Sequence, residues 1–140
     1  MVNSLSLHRT TCITYHIWYN QLIANEIIFY ESPNGECTVE SFLDGLPVKH
    51  RAKAIRSIEL LATFGRTLTE PHVKKIQGQR YKGLYELRVK FASDISRIFY
   101  FLYDGEKFIL VHGFVKKTQK TPTKELEKAR DRMLEFLGRK

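Results

Sequence analysis

Hydrophobic residues follow a strand-like and then a helix-like spacing in the first half of the chain. Residues 27–30 form a short β-prone run that ends at a turn-forming Ser-Pro-Asn-Gly sequence. Apolar residues then recur at helical spacing over residues 39–46 and 55–62. Pro47 suits the first turn of the second helix, and Gly65 suits its C-cap. The pattern predicts a first strand followed by a helical hairpin.

A basic segment and a strand with alternating residues come next. Residues 67–83 combine Pro and Gly with several Lys and Arg residues, which predicts a loop with basic side chains. Apolar and charged residues alternate over residues 84–90, which predicts a β-strand. Because side chains alternate between the two faces of a strand, Glu86, Arg88 and Lys90 share one face.

The pattern then predicts a β-hairpin. Residues 96–103 and 107–114 are rich in aromatic and β-branched residues, which favour strands. Asp104 and Gly105 lie between the two runs and are typical of a two-residue hairpin turn. We therefore expect two adjacent antiparallel strands here.

A single amphipathic helix ends the pattern. Thr121 and Pro122 predict its N-cap and its first turn. Its apolar stripe consists of Leu126, Ala129, Met133, Phe136 and Leu137. With helices segregated over a mostly antiparallel sheet, the whole chain is predicted to be α+β.

Length and cysteine spacing indicate one domain in a reducing compartment. A chain of 140 residues fits one compact domain. Residues 1–25 show no clean period, so we expect an N-terminal extension of uncertain order before a domain of residues 26–140. Cys12 and Cys37 are far apart and form no C-x-x-C pair, which argues against a zinc or redox motif. No signal peptide or membrane span is recognisable, so we expect a cytoplasmic protein.

The net charge of the chain is strongly positive. The formal net charge is +8 at pH 7 and the isoelectric point is near 9.6. Such a protein favours a polyanionic partner, because each neutralised phosphate releases condensed counterions. Basicity therefore indicates nucleic acid as the partner, but it does not distinguish an enzyme from a binding protein.

Arg88 and Arg97 are the first candidates for phosphate contacts. If they lie on adjacent antiparallel strands with matching parity, both guanidinium groups project from one sheet face into a shared hollow. Two close arginines repel each other unless an anion lies between them, and a phosphodiester suits their forked donors. The alternative is that each arginine pairs with an acidic residue on an exposed face, the candidates being Glu86, Asp94 and Glu106.

The lysine-rich segment 116–120 is the second candidate. It follows the last predicted strand, and loops at strand ends often carry functional side chains. The alternative is a solvated connector. His112 lies inside the last strand, where a structural role is favoured over acid–base catalysis. No glycine-rich phosphate loop, H-E-x-x-H sequence or acidic metal cluster occurs, so we expect neither a metal nor a cofactor.

Four segments resemble a known family of toxins. These are EIIFYE at 26–31, LYELR at 84–88, RIFY at 97–100 and HGFVKKTQKTP at 112–122. They are similar to segments of the RelE/HigB superfamily of type II toxin–antitoxin systems, particularly its phage-derived HigB-like branch. The lysine-rich segment is the most specific of the four, because its loop, threonine and proline occur in the family's order.

The resemblance implies a fold, an activity and a set of site residues. It implies a RelE-like, microbial RNase T1-like architecture and ribosome-dependent cleavage of messenger RNA without a metal. In that reaction the RNA 2′-hydroxyl attacks the adjacent phosphorus. A cognate antitoxin, expected to be a helix-turn-helix protein, would restrain the toxin. The predicted catalytic residues are Arg88, Arg97, Lys117 and Lys120. The predicted RNA-binding residues are Lys74, Lys75, Tyr85, Lys90, Lys116 and Gln119.

The sequence also departs from the family, and other functions stay open. Many superfamily members carry a Tyr or His near the C-terminal end for proton transfer, where this chain has Thr121 and Pro122. The acid and the base are therefore not identified by the resemblance. The alternatives are a non-enzymatic, ParE-like inhibitor of DNA gyrase and a basic RNA-binding module. For the nuclease, we expect Arg97→Ala to abolish toxicity while the protein stays folded.

Overall fold

The structure, a computed structural model, describes residues 25–116 and 120–139. Its strands are β1 (Glu26–Phe29), β2 (Val73–Lys75), β3 (Leu84–Phe91), β4 (Asp94–Tyr103) and β5 (Lys107–Lys116). Its α-helices are α1 (Thr38–Asp44), α2 (Val48–Phe64) and α3 (Thr123–Leu137). The predicted extension, except for its last residue, lies outside the described residues.

The strands form one five-stranded sheet in the order β1-β5-β4-β3-β2. Strand β1 runs parallel to β5, and every other neighbouring pair is antiparallel. The predicted α+β class and the mostly antiparallel sheet are confirmed, and the arrangement is consistent with a RelE-like fold. Among the described helices, none is long and apolar enough to cross a membrane.

Two apolar cores lie on opposite faces of the sheet. On one face, Leu87 and Ile98 pack against α1 and α2 through Leu43 and Ile58. On the other face, a second core forms between the sheet and α3; its buried members are Tyr30, Leu84, Phe99, Phe101, Ile109, Val111, Ala129 and Met133. The sheet is therefore the middle layer of three. The charged face of β3 looks towards α3, so part of it is covered.

The predicted element boundaries need four corrections. The predicted loop 67–83 contains β2, and a strand of three residues is too short to show alternation. The hairpin turn has three residues rather than two, because Tyr103 pairs with Lys107. Both helix-starting prolines, Pro47 and Pro122, are N-caps and not first-turn residues.

The fourth correction concerns the stripe on α3. Ala129 and Met133 are buried, and Leu126 and Phe136 are partly buried against the same core. Leu137, in contrast, is 47% exposed, because it follows Phe136 directly and turns away from the sheet. The predicted cap at Gly65 is confirmed, since that glycine follows α2 with a positive φ of 53°.

A bulge in β5 changes which residues of that strand face α3. Phe99 pairs with His112, but Tyr100 pairs with Leu110, so Val111 is an extra residue. The extra residue reverses the alternation beyond it. His112, Phe114 and Lys116 therefore face α3, whereas an unbroken strand would have turned them towards α1.

The same shift brings Gly113 to the α1 side, where the helix approaches the strand closely. A Cβ atom added at Gly113 would lie 2.5 Å from a ring carbon of Phe42 on α1. Real Cβ atoms do not approach other atoms so closely. The glycine therefore sets the distance between α1 and β5.

We expect Gly113→Ala to lower the free energy of unfolding by about 1–3 kcal/mol, because the new methyl group overpacks the contact with Phe42. Urea unfolding followed by circular dichroism measures the change. Gly45→Ala is the matched control, since its Cβ would meet atoms only at ordinary van der Waals distance, 3.6 Å and beyond. Equal stabilities of the two variants would contradict the close approach.

Candidate functional site

The pairing of β3 with β4 places two arginines side by side. Arg88 is the direct partner of Arg97 in the antiparallel register. Directly opposite residues share a face and have Cβ atoms about 4.5–5.5 Å apart. Both side chains therefore start from the face that looks towards α3. The matching parity that the sequence analysis required is present.

The two arginines belong to an open hollow of about 400 Å³ beside the N-terminal end of α3. The hollow is lined by Lys74, Lys75, Ile76, Gln77, Glu86, Arg88, Arg97, Lys116, Lys120, Thr121 and Leu126. We call it the cationic hollow, because six of these side chains are basic and one is acidic. Six of the predicted site residues thus converge, drawn from β2, β3, β4, β5 and the segment before α3.

Four predicted residues are not among those that line the cationic hollow. Lys90 lines an adjoining hollow instead. Tyr85 lies on the opposite face of β3, where its ring stacks on Tyr100 at 5.5 Å between centroids. Consecutive side chains of a strand point to opposite faces, so Tyr85 and Glu86 lie on different faces of β3. Lys117 and Gln119 fall outside the described residues, so their roles stay predictions.

Arg97 forms a buried ion pair with Glu86. Nη1 of Arg97 donates to Oε2 of Glu86, and each side chain is only 5% exposed. The expected alternative of a carboxylate partner is therefore realised for Arg97, but the pair is buried and not on an exposed face. Burial lowers the pKa of the Arg97 guanidinium, and nearby Arg88 lowers it further, although Glu86 opposes both. Arginine nevertheless stays protonated in proteins.

The ion pair leaves hydrogen-bonding capacity unused. Within the described residues, Oε1 of Glu86 and Nε of Arg97 are buried without a hydrogen-bond partner. Leaving a buried polar group unsatisfied costs about 1–3 kcal/mol. One acceptor and one donor are thus left without a partner on two paired side chains that line the cationic hollow.

Glu86 is the charged residue of the hollow that the sequence analysis did not assign to the site. It was considered only as an exposed partner for an arginine. Its parity with Arg88 was visible in the alternating strand and placed it on the same face. Its burial was not visible, because alternation along a strand does not show what covers each face.

Lys116 is the lysine that β5 contributes to the cationic hollow. It is half-buried at the end of β5, on the face to which the bulge has turned it. Burial lowers the pKa of Lys116, and the positive charges of Arg97, Arg88 and Lys74 lower it further. A lysine with a lowered pKa gives up its proton more easily, which is what a general acid requires.

His112 fastens α3 to the sheet. Nη1 of Arg132 donates to its Nδ1 at 2.8 Å, so Nδ1 carries no proton. The other nitrogen, Nε2, then donates to Oε1 of Glu125 at 2.5 Å. Burial lowers the pKa of His112, and Arg132 and Lys128 also lower it, against the opposing effect of Glu125. The predicted structural role of His112 agrees with these contacts.

A second group of contacts fastens the basic loop, which joins β2 to β3, to α3. Arg80 donates two hydrogen bonds of 2.8 Å to the Glu127 carboxylate, and the Tyr81 hydroxyl donates a third of 2.6 Å. The hydrogen bonds from Arg80 and Tyr81 lower the pKa of Glu127 to about 2. The loop that follows β2 is thereby held beside α3, where it completes one wall of the cationic hollow.

The described residues contain no group of three or more His, Cys, Asp or Glu side chains arranged to hold a metal ion. The polar atoms available in the cationic hollow are the ammonium and guanidinium groups, the Glu86 carboxylate, the Gln77 amide and the Thr121 hydroxyl. Such a set of polar groups suits a ligand that carries a negative charge and also has hydroxyl groups.

Comparison with known proteins gives one family. Residues 41–134 match the model of a family described as "Phage derived protein Gp49-like (DUF891)". The match extends from α1 to the last turns of α3 and includes the residues that line the cationic hollow. No curated protein matches the chain significantly.

The burial of Arg97 alters the expected result of Arg97→Ala. Removing it strands the Glu86 carboxylate, and breaking a buried ion pair costs about 3–5 kcal/mol. We therefore expect a marked loss of stability in urea unfolding, not the folded variant that the sequence alone suggested. Arg88→Ala is the matched comparison, and it should stay within about 1 kcal/mol because it relieves repulsion between like charges. Equal stabilities of the two variants would contradict the ion pair.

We also expect stability to depend on His112 below neutral pH. The folded state holds the His112 pKa below its ordinary value of 6.5, so the unfolded state binds the proton first. The contribution is complete above pH 6.5 and is lost as the pH falls below it, by up to about 1.4 kcal/mol per pH unit. Urea unfolding at pH 7.5 and 5.5 measures it. His112→Gln should flatten the dependence and His72→Gln should not; an unchanged slope in His112→Gln would refute the assignment.

Proposed function

We propose that this chain, which belongs to the Gp49-like family of RelE/HigB-like toxins of toxin–antitoxin systems, is an endoribonuclease that cuts messenger RNA. Membership of the family implies an antitoxin partner. The activity, its chemistry and the residues that perform it are our proposals. They rest on one observation, the incompletely bonded Glu86–Arg97 pair among the residues that line a hollow rich in cations.

The unused atoms of the ion pair match the groups that react in RNA. Oε1 of Glu86 accepts a hydrogen bond, and the 2′-hydroxyl of a ribose donates one. Nε of Arg97 donates a hydrogen bond, and a phosphoryl oxygen accepts one. The 2′-hydroxyl and the 3′-phosphate are carried by adjacent carbons of one ribose, and Oε1 and Nε belong to two paired side chains. Binding RNA would satisfy two buried polar atoms at once, which favours RNA over an anion without a hydroxyl group.

The reaction then follows from the roles of these groups. Glu86 accepts the proton of the 2′-hydroxyl as that oxygen attacks the adjacent phosphorus. The bond from phosphorus to the 5′-oxygen breaks, and the products are a 2′,3′-cyclic phosphate and a free 5′-hydroxyl. Arg88 and Arg97 stabilise the negative charge that grows on the phosphoryl oxygens, a task for which preorganised donors are effective.

A lysine protonates the leaving 5′-oxygen. Lys116 is suited to this step, because burial and the neighbouring cations lower its pKa while its side chain lines the hollow. Lys120 lines the same hollow and, with Lys117, holds the phosphate. The Tyr or His that many superfamily members use is then not required. Proton return from Glu86 to the lysine through solvent restores both groups.

The substrate and the partners follow from the family resemblance and the charge. Messenger RNA on the ribosome is the proposed substrate, and the HigB-like branch is the proposed place within the superfamily. A helix-turn-helix protein is the proposed antitoxin. The net charge of +8 suits both an RNA substrate and an acidic partner. The proposed location is the cytoplasm, where translating ribosomes are found.

We expect Arg88→Ala to lower the rate of message cleavage on ribosomes by about 10²–10³-fold, as loss of one charge-stabilising donor does in other enzymes. Glu86→Gln should lower it by about 10²–10⁴-fold, because an amide of the same shape cannot accept the proton. Initial rates of cleavage of a 5′-labelled message measure both effects, with circular dichroism to verify folding.

Arg56→Ala is the control, because Arg56 is exposed on α2 away from the cationic hollow. It should cleave at the wild-type rate. Full activity of folded Arg88→Ala would remove the arginine pair from the mechanism. Intact messages together with DNA damage in cells that express the wild-type chain would favour inhibition of gyrase instead.

A further inference from the structure

A second hollow, of about 380 Å³, adjoins the cationic hollow at Arg88. It is lined by Lys53, Pro71, His72, Arg88, Lys90 and Ile95. We call it the flanking hollow. Arg88 lines both hollows, so they meet at the residue that the proposed reaction uses to hold the phosphate.

The flanking hollow lies beyond the point where the pairing of β2 with β3 ends. Strand β2 stops pairing with β3 at Val73, opposite Leu87. One further hydrogen bond of 2.8 Å, from the Arg88 N–H to the His72 carbonyl, fixes the loop at that point. Beyond it, Lys90 has β4 as its neighbour on one side only, within the described sheet. The end of β3 therefore forms a wall that no strand covers.

The lining combines apolar contact surface with positive charge. Pro71 and Ile95 are apolar, while Lys53 on α2 and Lys90 on β3 are both exposed and supply ammonium groups. None of the described residues that line it is acidic. Such a site suits a ligand with a flat, weakly polar body and a negative charge. A nucleotide has this composition, with its base for the apolar surface and its phosphate for the lysines.

We propose that the flanking hollow binds the nucleotide next to the one that is cut, with its base against Pro71 and Ile95 and its phosphate at Lys53 and Lys90. This inference rests on the proposed function, because it assigns a part of the same RNA strand. Arg88 holds the phosphate that joins the two nucleotides. The strand would thus cross the sheet face from the cationic hollow to the end of β3.

Binding of non-cleavable RNA tests the proposal without relying on catalysis. The probes are 2′-O-methyl oligonucleotides of three nucleotides and of four, the fourth being added at the 5′ end in one set and at the 3′ end in the other. Fluorescence anisotropy at low salt measures the affinities. For the wild-type chain we expect the added nucleotide to increase affinity by about 10-fold at one end only.

Lys53→Ala/Lys90→Ala should remove that gain while binding of the shorter probe changes little. The dependence of affinity on salt should weaken by about 0.7 in logarithmic slope for each phosphate contact that is lost. Ile95→Trp, which fills the hollow, should remove the gain without changing the charge. Arg56→Ala/Lys107→Ala is the control, because it removes the same charge from residues that line neither hollow.

Equal gains in the control and in Lys53→Ala/Lys90→Ala would overturn the proposal, and so would a wild-type chain that gains nothing from a fourth nucleotide. Cleavage separates this failure from failure of the proposed function. With cleavage intact and the gain unaffected by the variants, only the flanking hollow is disproved. With the gain present and lost as expected but no cleavage by the wild type, the site binds RNA and the nuclease proposal fails.

Discussion

The register of β3 against β4 is the constraint on which the candidate site depends, because it sets Arg88 directly opposite Arg97. Two guanidinium groups on neighbouring strands repel each other, and like charges in this position destabilise a sheet. Glu86 compensates by pairing with Arg97, which leaves Arg88 half-buried in a hollow of net positive charge. A register shifted by one residue would send one arginine to the opposite face and separate the pair.

Helix α3 packs on the sheet face that carries the two arginines. The Glu86–Arg97 pair on that face is buried, and His112 and Glu127 fasten the helix to β5 and to the basic loop. Burial strengthens each electrostatic contact, yet it leaves Oε1 of Glu86 and Nε of Arg97 without partners among the described residues. Two buried polar atoms without partners lower the stability of the free protein. In the proposed complex, the phosphate and the 2′-hydroxyl of the RNA would pair with them.

The sequence predicted the fold class, most elements and the convergence of the arginines, because strand alternation and helical spacing are local properties. The location of Lys116 was beyond such reasoning, since a one-residue bulge at Val111 decides which face it joins. The burial of Glu86 was equally hidden, because alternation along a strand does not show which face is covered. Tyr85 is a different case, since its parity with Leu87 already indicated the opposite face from Arg88. The bulge and the burial of strand faces were therefore not available from the sequence, whereas the position of Tyr85 was.

The central claim is that these cations and Glu86 act on one ribonucleotide linkage by attack of its own 2′-hydroxyl. The most direct measurement is the chemistry of RNA ends in cells that express the chain without an antitoxin. We expect new ends within messages that carry a 2′,3′-cyclic phosphate on one side of the cut and a 5′-hydroxyl on the other. Messages that stay intact during growth arrest, or new ends that carry a 5′-phosphate, would contradict it.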